Sequence, residues 1–331
     1  EAESERGLAH FIEHMAFNGS DRIPEGEMIR LLEREGLAFG ADTNASTGLE
    51  QTVYLLDLPR NDENLLDTAL MLMRETSSEL LIEQDAVDRE RGIILAERRD
   101  RRSFAYKQLE DELEFAAPAA RFVDRLPIGA VEVLENASAA DLRALYQRTY
   151  VPTNTTLVIV GDFPVALMEA RLRHWFADWE PAPDPVEPET GPVDITRVGE
   201  SDIYVDPALP ERVSISRYGP WIERPDTVAS RQQGLLRTVG YGIINRRLEA
   251  LARGADAPFR SAGIATGDLF EDARSTTLTV NTADGEWRRG AIAAGIETRK
   301  ALEFGFSDAE VAEQVALSLI HISEPTRLRR I

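Results

Sequence analysis

The 331-residue chain contains no cysteine, and this absence excludes several kinds of chemistry. Without thiols there is no disulfide, no thiol nucleophile and no cysteine-based zinc cluster. Any metal ion must therefore be held by histidine and carboxylate side chains. Long apolar runs are missing as well, and no stretch is long enough to predict a helix that spans a membrane.

Lysine is also scarce, and acidic residues outnumber basic ones. Lysine occurs only at Lys107 and Lys300, and the formal net charge is −21 at pH 7. A surface that binds nucleic acid needs net positive patches, so we expect no nucleic-acid partner. An acidic surface would suit cationic peptides better, although such surfaces most often serve solubility alone. The hydrophobic fraction of 43% is typical of a soluble globular protein, and the length predicts two domains.

Two of the four histidines fall in the short motif His10-Phe-Ile-Glu-His14. Residues four apart on an α-helix lie one above the other, so the imidazoles of His10 and His14 can bind one cation. Glu13 lies beside them, where its carboxylate could take a proton from a zinc-bound water as a general base. The alternative is a pair of structural histidines satisfied by hydrogen bonds. The rarity of histidine in this chain and the intervening glutamate favour a metal site.

A zinc site with catalytic activity needs a third protein ligand and a further position for water. The best candidates lie at the start of a predicted long, charged helix, where Glu83 and Glu90 share one face and Glu97 extends it. One glutamate could bind the metal while another accepts a hydrogen bond from a ligand histidine. Taken alone, a glutamate-rich helix is more typical of a solvated face. The histidine pair favours a metal-binding role for these glutamates instead.

The motif His-x-x-Glu-His followed by a distant glutamate resembles the inverted zinc motif of the pitrilysin and insulinase family of metallopeptidases, M16. The distance along the chain from His14 to Glu90 is typical of that family. The resemblance therefore implies one Zn²⁺ per chain, held by His10, His14 and Glu90, with Glu13 as the catalytic base. The family also carries an acidic residue seven positions before the third ligand. This matches Glu83, which we expect to support a ligand through a hydrogen bond.

The resemblance covers most of residues 7–180 and is closest to bacterial zinc proteases with long chains made of two related halves. The further segments that carry it are His14–Ser20, Asp42–Thr47, Gln51–Tyr54, Leu126–Gly129 and Tyr150–Asn154. In such enzymes the segment that matches Asn44, Ala45, Ser46 and Thr47 is an edge strand that pairs with the substrate backbone. Ser46 departs from the family, which usually has an aromatic residue there.

The resemblance implies an α+β fold with two tandem copies of the metallopeptidase α/β unit, each a mixed, largely antiparallel sheet covered by helices. We expect four segments: a zinc-binding peptidase domain at 1–180 without its first strand, a proline-rich linker at 181–196, an incomplete and inactive second domain at 197–316, and a tail at 317–331. The tail reads like the translation of a sequencing adapter. The chain also reaches the metal helix almost at once, so we expect residue 1 to be a cut edge.

Hydrophobic periodicity and capping residues predict the individual elements. The predicted helices are 7–18, 27–35, 63–75, one that carries Glu83 and Glu90, 138–150, 165–176, 227–252, 286–304 and one from 307. The predicted strands are 37–47, 51–58, 155–160, 203–205, 212–216, 261–266 and 275–282.

The function that the resemblance implies is zinc-dependent hydrolysis of peptides or small unfolded proteins. Full enzymes of the family clamp the substrate between two halves, so we expect this chain to need a missing C-terminal half to close the chamber. We expect it to bind zinc but to hydrolyse little alone. Export to the periplasm is the expected localisation. The alternative is a non-catalytic scaffold or partner subunit of the same fold, and the presence of His10, Glu13, His14 and Glu90 favours catalysis.

Overall fold

The computed structural model describes residues 2–38, 40–181, 183 and 190–323. Contacts divide the chain into two compact units. The first comprises Glu1–Tyr106 and Arg121–Thr190, and the second Lys107–Ala120 and Gly191–Ile331. Each unit combines helices with an antiparallel sheet, which confirms the predicted α+β class. Residues 182 and 184–189 of the predicted linker at 181–196, and residues 324–331 of the predicted tail, lie outside the described residues.

The first unit is mainly helical and contains a single β-hairpin among its described residues. Its elements, in chain order, are α1 (Leu8–Met15), α2 (Glu27–Arg34), β1 (Thr43–Thr47), β2 (Thr52–Leu56), α3 (Glu63–Ser78), α4 (Gln84–Arg101), the start of α5 (Phe104–Ala116), α6 (Val131–Asn136), α7 (Ala139–Thr149) and α8 (Val165–Phe176).

Helix α1 is held in the centre of the largest apolar cluster of this unit. Phe11 and Ile12 are fully buried, and they belong to one cluster with Ile94 of α4 and Leu142 of α7. Burying a side chain of this size stabilises the fold by roughly 1.5–3 kcal/mol. The polar side chains of α1 are thereby presented in a fixed direction, because the helix cannot rotate without exposing this face.

The start of α1 depends on two glycines. Gly7 caps the helix at φ +96°, and a Cβ there would lie 2.5 Å from the Cα of Gly129. Gly129 itself has φ +77°, and its own Cβ would lie 2.6 Å from the Cα of Gly7. Only glycine tolerates both the left-handed conformation and this approach of two backbones.

The hairpin of β1 and β2 is antiparallel, with Thr43 opposite Leu56 and Thr47 opposite Thr52. It is shorter than the predicted strands. Residues 40–42 form a turn instead, and the amide of Ala38 donates a 2.8 Å hydrogen bond to the carboxylate of Asp42. Because side chains alternate along a strand, Thr47, Thr52 and Tyr54 lie on the same, half-buried face.

Two predicted strands are wrong. Residues 155–160 have no strand partner among the described residues, and Val158 and Val160 are 74% and 91% exposed. Residues 203–205 are also unpaired in the described chain, with Ile203 and Val205 exposed. A run of β-branched residues favours extended backbone, but a strand also needs a neighbouring ladder, and the local sequence does not contain that information.

The second unit is built on a three-stranded antiparallel sheet of order β3-β5-β4. Its elements are most of α5, then β3 (Arg212–Pro220), α9 (Val228–Ala252), β4 (Ser261–Leu269), β5 (Ala273–Asn281), α10 (Trp287–Phe304) and α11 (Asp308–Ser323). The core includes Leu248 of α9, Val280 of β5 and Ala294 of α10. None of the described helices in either unit is both long and apolar enough to cross a membrane.

Candidate metal centre

Both histidines of the motif lie on α1, as the helical spacing predicts. Their ring centroids are 4.8 Å apart, and the rings meet edge to face at 88°. His10 is 5% exposed and His14 is half-buried. The two imidazoles therefore converge at the surface of the unit, next to the buried face of the helix.

Glu97 of α4 completes this pair. Its Oε2 atom lies 3.3 Å from Nε2 of His14 and 3.7 Å from Nε2 of His10. One donor atom of each of the three residues lies within 4.8 Å of the other two. The described part of the chain contains no other such group. Two imidazole nitrogens and one carboxylate oxygen form a donor set that fits Zn²⁺.

Glu90, the predicted third ligand, contacts the other ring nitrogen of His14. Its Oε2 atom is 3.0 Å from Nδ1, the ring nitrogen that does not face Glu97. Asn18 donates a second hydrogen bond, of 3.1 Å, to Oε1 of Glu90. In the neutral form of His14, a carboxylate in this position keeps the proton on Nδ1 and leaves the lone pair of Nε2 free for a metal.

Glu97 lies one heptad further along α4 than the predicted ligand Glu90, and Glu90 makes the kind of supporting hydrogen bond that was expected of Glu83. Which glutamate binds a metal stays a prediction. Glu83 is the exposed N-cap residue of α4 and lies outside the group. Seven helical residues span about 10 Å, too far for its carboxylate to reach the imidazoles from there. The signal for Glu97 in the sequence was its place on the same helix face.

The environments of the two histidines differ. Burial and the nearby positive charge of protonated His14 lower the pKa of His10 to about 4, so His10 is neutral near pH 7. Burial also opposes protonation of His14, but the hydrogen bond from His14 to Glu90 and the surrounding carboxylates outweigh it and raise its pKa. Neutral imidazole is the form that binds a metal, and a bound cation would displace the proton from His14.

Two further features of the site concern Glu97 and His10. The guanidinium of Arg101 lies 2.5 Å from Oε1 of Glu97, one helical turn along α4. This ion pair leaves Oε2, the other carboxylate oxygen, toward the histidines. In addition, the Nδ1 atom of His10 is buried without a hydrogen-bond partner among the described residues.

The carboxylate of Glu13 lies next to the hairpin. The hydroxyl of Thr47 donates a 2.5 Å hydrogen bond to Oε2 of Glu13. Glu13 thus lies on the same helix as both histidines but is not part of the three-residue donor group. This is the arrangement expected of a base that acts beside a metal and does not bind it.

Strand β1 carries the four residues that the sequence predicts as a substrate-binding edge. Asn44 and Ser46 are exposed, while Ala45 and Thr47 are half-buried. In the described residues β1 pairs only with β2, so its other edge has no strand partner. Binding of a peptide along this edge stays a prediction.

Comparison with protein-family models finds two matches. Residues 1–121 match the insulinase family, Peptidase family M16, and residues 136–230 match the Peptidase M16 inactive domain. The first match contains every residue of the candidate metal centre.

The chain is also similar to individual proteins of this family. It is 28% identical to a probable zinc protease PqqL of Escherichia coli, over 94% of this chain and 33% of that protein. It is 27% identical to a zinc protease PQQL-like protein of Arabidopsis thaliana, over 83% of this chain and 29% of that protein. The chain thus spans about a third of the length of these two relatives.

A solved structure agrees with these matches. The crystal structure of the first half of the periplasmic protease PqqL from Escherichia coli superposes with a TM-score of 0.83 at 26% identity, covering 98% of this chain and 70% of that one. The names of the relatives support a peptidase function in general. From the motif, the fold and these matches, we conclude that the chain belongs to the insulinase family of peptidases, M16.

Proposed function

We propose that the protein is a zinc-dependent endopeptidase that hydrolyses peptides or small unfolded proteins. The observation that carries this proposal is the convergence of His10, His14 and Glu97 within 4.8 Å, with Glu13 beside them on α1. Two nitrogens and one oxygen leave room for a further ligand on a tetrahedral ion, which is the difference between a catalytic and a structural zinc site.

In this proposal the Nε2 atoms of His10 and His14 and the Oε2 atom of Glu97, which face one another, would hold Zn²⁺. When bound, Zn²⁺ would lower the pKa of a coordinated water and polarise the scissile carbonyl. Glu90 holds His14 in the correct tautomer. Arg101 offsets part of the negative charge of Glu97 and fixes the direction of its carboxylate.

Glu13 serves as the general base. The carboxylate, held by the hydrogen bond from Thr47 to Oε2, would accept the proton of the attacking water and later return it to the leaving amine. The peptide lies along β1, where Asn44, Ala45, Ser46 and Thr47 supply main-chain hydrogen bonds. Such pairing tolerates many sequences, because affinity comes from the backbone and preference from side-chain pockets.

We propose that the complete protein has a second half that closes over this site, since the relatives are about three times as long as the matched region. The isolated chain would then bind zinc and cleave peptides slowly. Export is proposed from one similarity, to a structure described as a periplasmic protease.

The test compares the complete gene product with its Glu13→Gln variant, loaded with zinc and supplied with a library of unfolded peptides. We expect the variant to keep its zinc and to lose hydrolysis, because glutamine cannot accept the proton. Glu33→Gln, at an exposed position on α2, is the matched control and should cleave like the unchanged protein. A complete gene product that binds zinc but cleaves no peptide would instead support a scaffold subunit.

A further inference from the structure

A chain of hydroxyl groups connects the apolar core to Glu13. Beyond its bond to Glu13, the Thr47 hydroxyl lies 3.3 Å from the hydroxyl of Thr52, its neighbour across the hairpin. The side chain of Thr52 in turn interacts with the hydroxyl of Tyr150. The Tyr150 hydroxyl lies 2.7 Å from that of Tyr54. Four hydroxyls from two strands and the end of α7 thus lead to one carboxylate.

The direction of these hydrogen bonds follows from the carboxylate. Ionised Glu13 can only accept, so the single proton of Thr47 must point to it. Since each hydroxyl has one proton to give, Thr47 can only accept from Thr52. Tyr54 and Tyr150 share a further hydrogen bond at the other end of the chain. The two donors nearest Glu13 thus point toward it. Hydrogen bonds aligned in this way polarise and strengthen one another.

Tyr150 is packed against the core. The Tyr150 ring packs on the ring of Tyr146 with centroids 4.6 Å apart, and the Tyr146 hydroxyl donates to the carbonyl of Thr76. Burial raises the pKa of Tyr150 to about 12, so its hydroxyl keeps its proton at neutral pH. The chain is therefore anchored in the core and ends at the site.

We propose that Thr47 is a positioning residue for Glu13, and that Thr52, Tyr150 and Tyr54 fix the orientation of the Thr47 hydroxyl. This inference rests on the proposed function in giving Glu13 the role of base. It adds a specific consequence for substrate binding. Thr47 is also the last residue of β1, so a peptide that pairs along β1 would be aligned by the same strand that orients the base.

The test uses three substitutions on β1. Thr47→Val removes the hydroxyl while keeping the branched shape, and Thr47→Ser keeps the hydroxyl. Thr43→Val is the matched control, because the Thr43 hydroxyl is buried without a hydrogen-bond partner among the described residues. Zinc content, kcat and KM are measured on the complete gene product. Crystal structures of the zinc-loaded protein and of its Thr47→Val variant report the conformers of the Glu13 side chain.

We expect Thr47→Val to lower kcat by about 10- to 100-fold, because small misplacements of a reacting group cost factors of this size. KM and zinc content should not change, Thr47→Ser should keep most of the activity, and Thr43→Val should keep all of it. The Glu13 carboxylate should occupy one conformer in the unchanged protein and several in Thr47→Val.

The inference is overturned if Thr47→Val keeps its kcat, if Thr47→Ser or Thr43→Val loses as much activity as Thr47→Val, or if Glu13 stays in one conformer without the hydroxyl. Should the unchanged complete protein cleave no peptide, the proposed function fails by itself. The crystallographic comparison then decides alone whether Thr47 positions Glu13.

Discussion

Glu90 accepts a hydrogen bond from Nδ1 of His14, the ring nitrogen on the opposite side from the one that faces Glu97. The imidazole is thus held between two carboxylates of α4, one on each nitrogen. Because the two glutamates are two helical turns apart, a single helix supplies both a candidate ligand and the group that orients another ligand. The proposed function therefore gives these two roles to Glu97 and Glu90, one heptad further along α4 than the sequence analysis expects.

The separation predicts different losses of zinc affinity for the two glutamates. Glu90→Gln should weaken zinc binding by about 10- to 100-fold, as removal of a partner of a ligand histidine usually does. Glu97→Gln should weaken it further, because it removes a charged ligand. Both are measured by competition with a fluorescent chelator, with Glu33→Gln as the control. A greater loss in Glu90→Gln than in Glu97→Gln would return the ligand role to Glu90.

Zinc should stabilise the first unit. A ligand that binds only the folded state at 100 times its dissociation constant contributes about 2.7 kcal/mol. We therefore expect added zinc to raise the thermal midpoint of the protein and a chelator to reverse the rise. His14→Asn should abolish this response, whereas His174→Asn, on α8, should retain it. A response that survives His14→Asn would show that zinc binds elsewhere.

The orientation of α1 should depend on its buried face. Phe11→Ala should lower the free energy of unfolding by about 3–5 kcal/mol, the usual cost of emptying a buried aromatic position. It should also weaken zinc binding, because α1 carries both histidines. Val165→Ala, at an exposed position of α8, should change stability by no more than about 0.5 kcal/mol. Urea denaturation measures both variants, and an equally small effect of Phe11→Ala would contradict the assigned core.

The second unit should lose stability in acid through Glu310. Hydrogen bonds from Arg247 and Ser307 lower the pKa of this carboxyl to about 2 from a usual value of 4.5. The pKa of Glu310 is lower in the folded state than in the unfolded state. The stability that its carboxylate contributes to the folded state is therefore complete above pH 4.5 and is lost as the pH falls toward 2.

The test of this acid dependence is Glu310→Gln, which should flatten the pH dependence of the urea midpoint between about pH 5 and pH 3. Glu223→Gln removes an exposed carboxylate from the same unit and should leave the dependence as it is. An unchanged profile in Glu310→Gln would show that its ion pair with Arg247 contributes nothing to stability.

The sequence predicted those parts of the site that depend on local helix geometry. His10, Glu13 and His14 lie on one helix, and their spacing alone places both imidazoles on the same side. The third member of the group could not be chosen in this way, because 83, 90 and 97 share one face of the same helical pattern. The choice depends on where α4 begins and on its axial position relative to α1. That position is set by tertiary packing around Ile94.

The hydroxyl chain was not predictable either, since Thr47 and Thr52 carry no pattern that differs from that of any hairpin threonine. The failed strand at 155–160 has a related cause, because pairing involves residues distant in sequence. Local propensity and periodicity thus predicted the elements, while contacts between elements determine which side chains meet.

The most direct measurement is an anomalous-difference map from crystals of the zinc-loaded protein, recorded on both sides of the zinc absorption edge. The account predicts one peak about 2.0–2.2 Å from Nε2 of His10, Nε2 of His14 and a carboxylate oxygen of Glu97. Glu90 should remain on Nδ1 of His14, and Glu13 should lie beside the ion without binding it. A peak coordinated by Glu90 in place of Glu97, or none at the two histidines, would contradict the account.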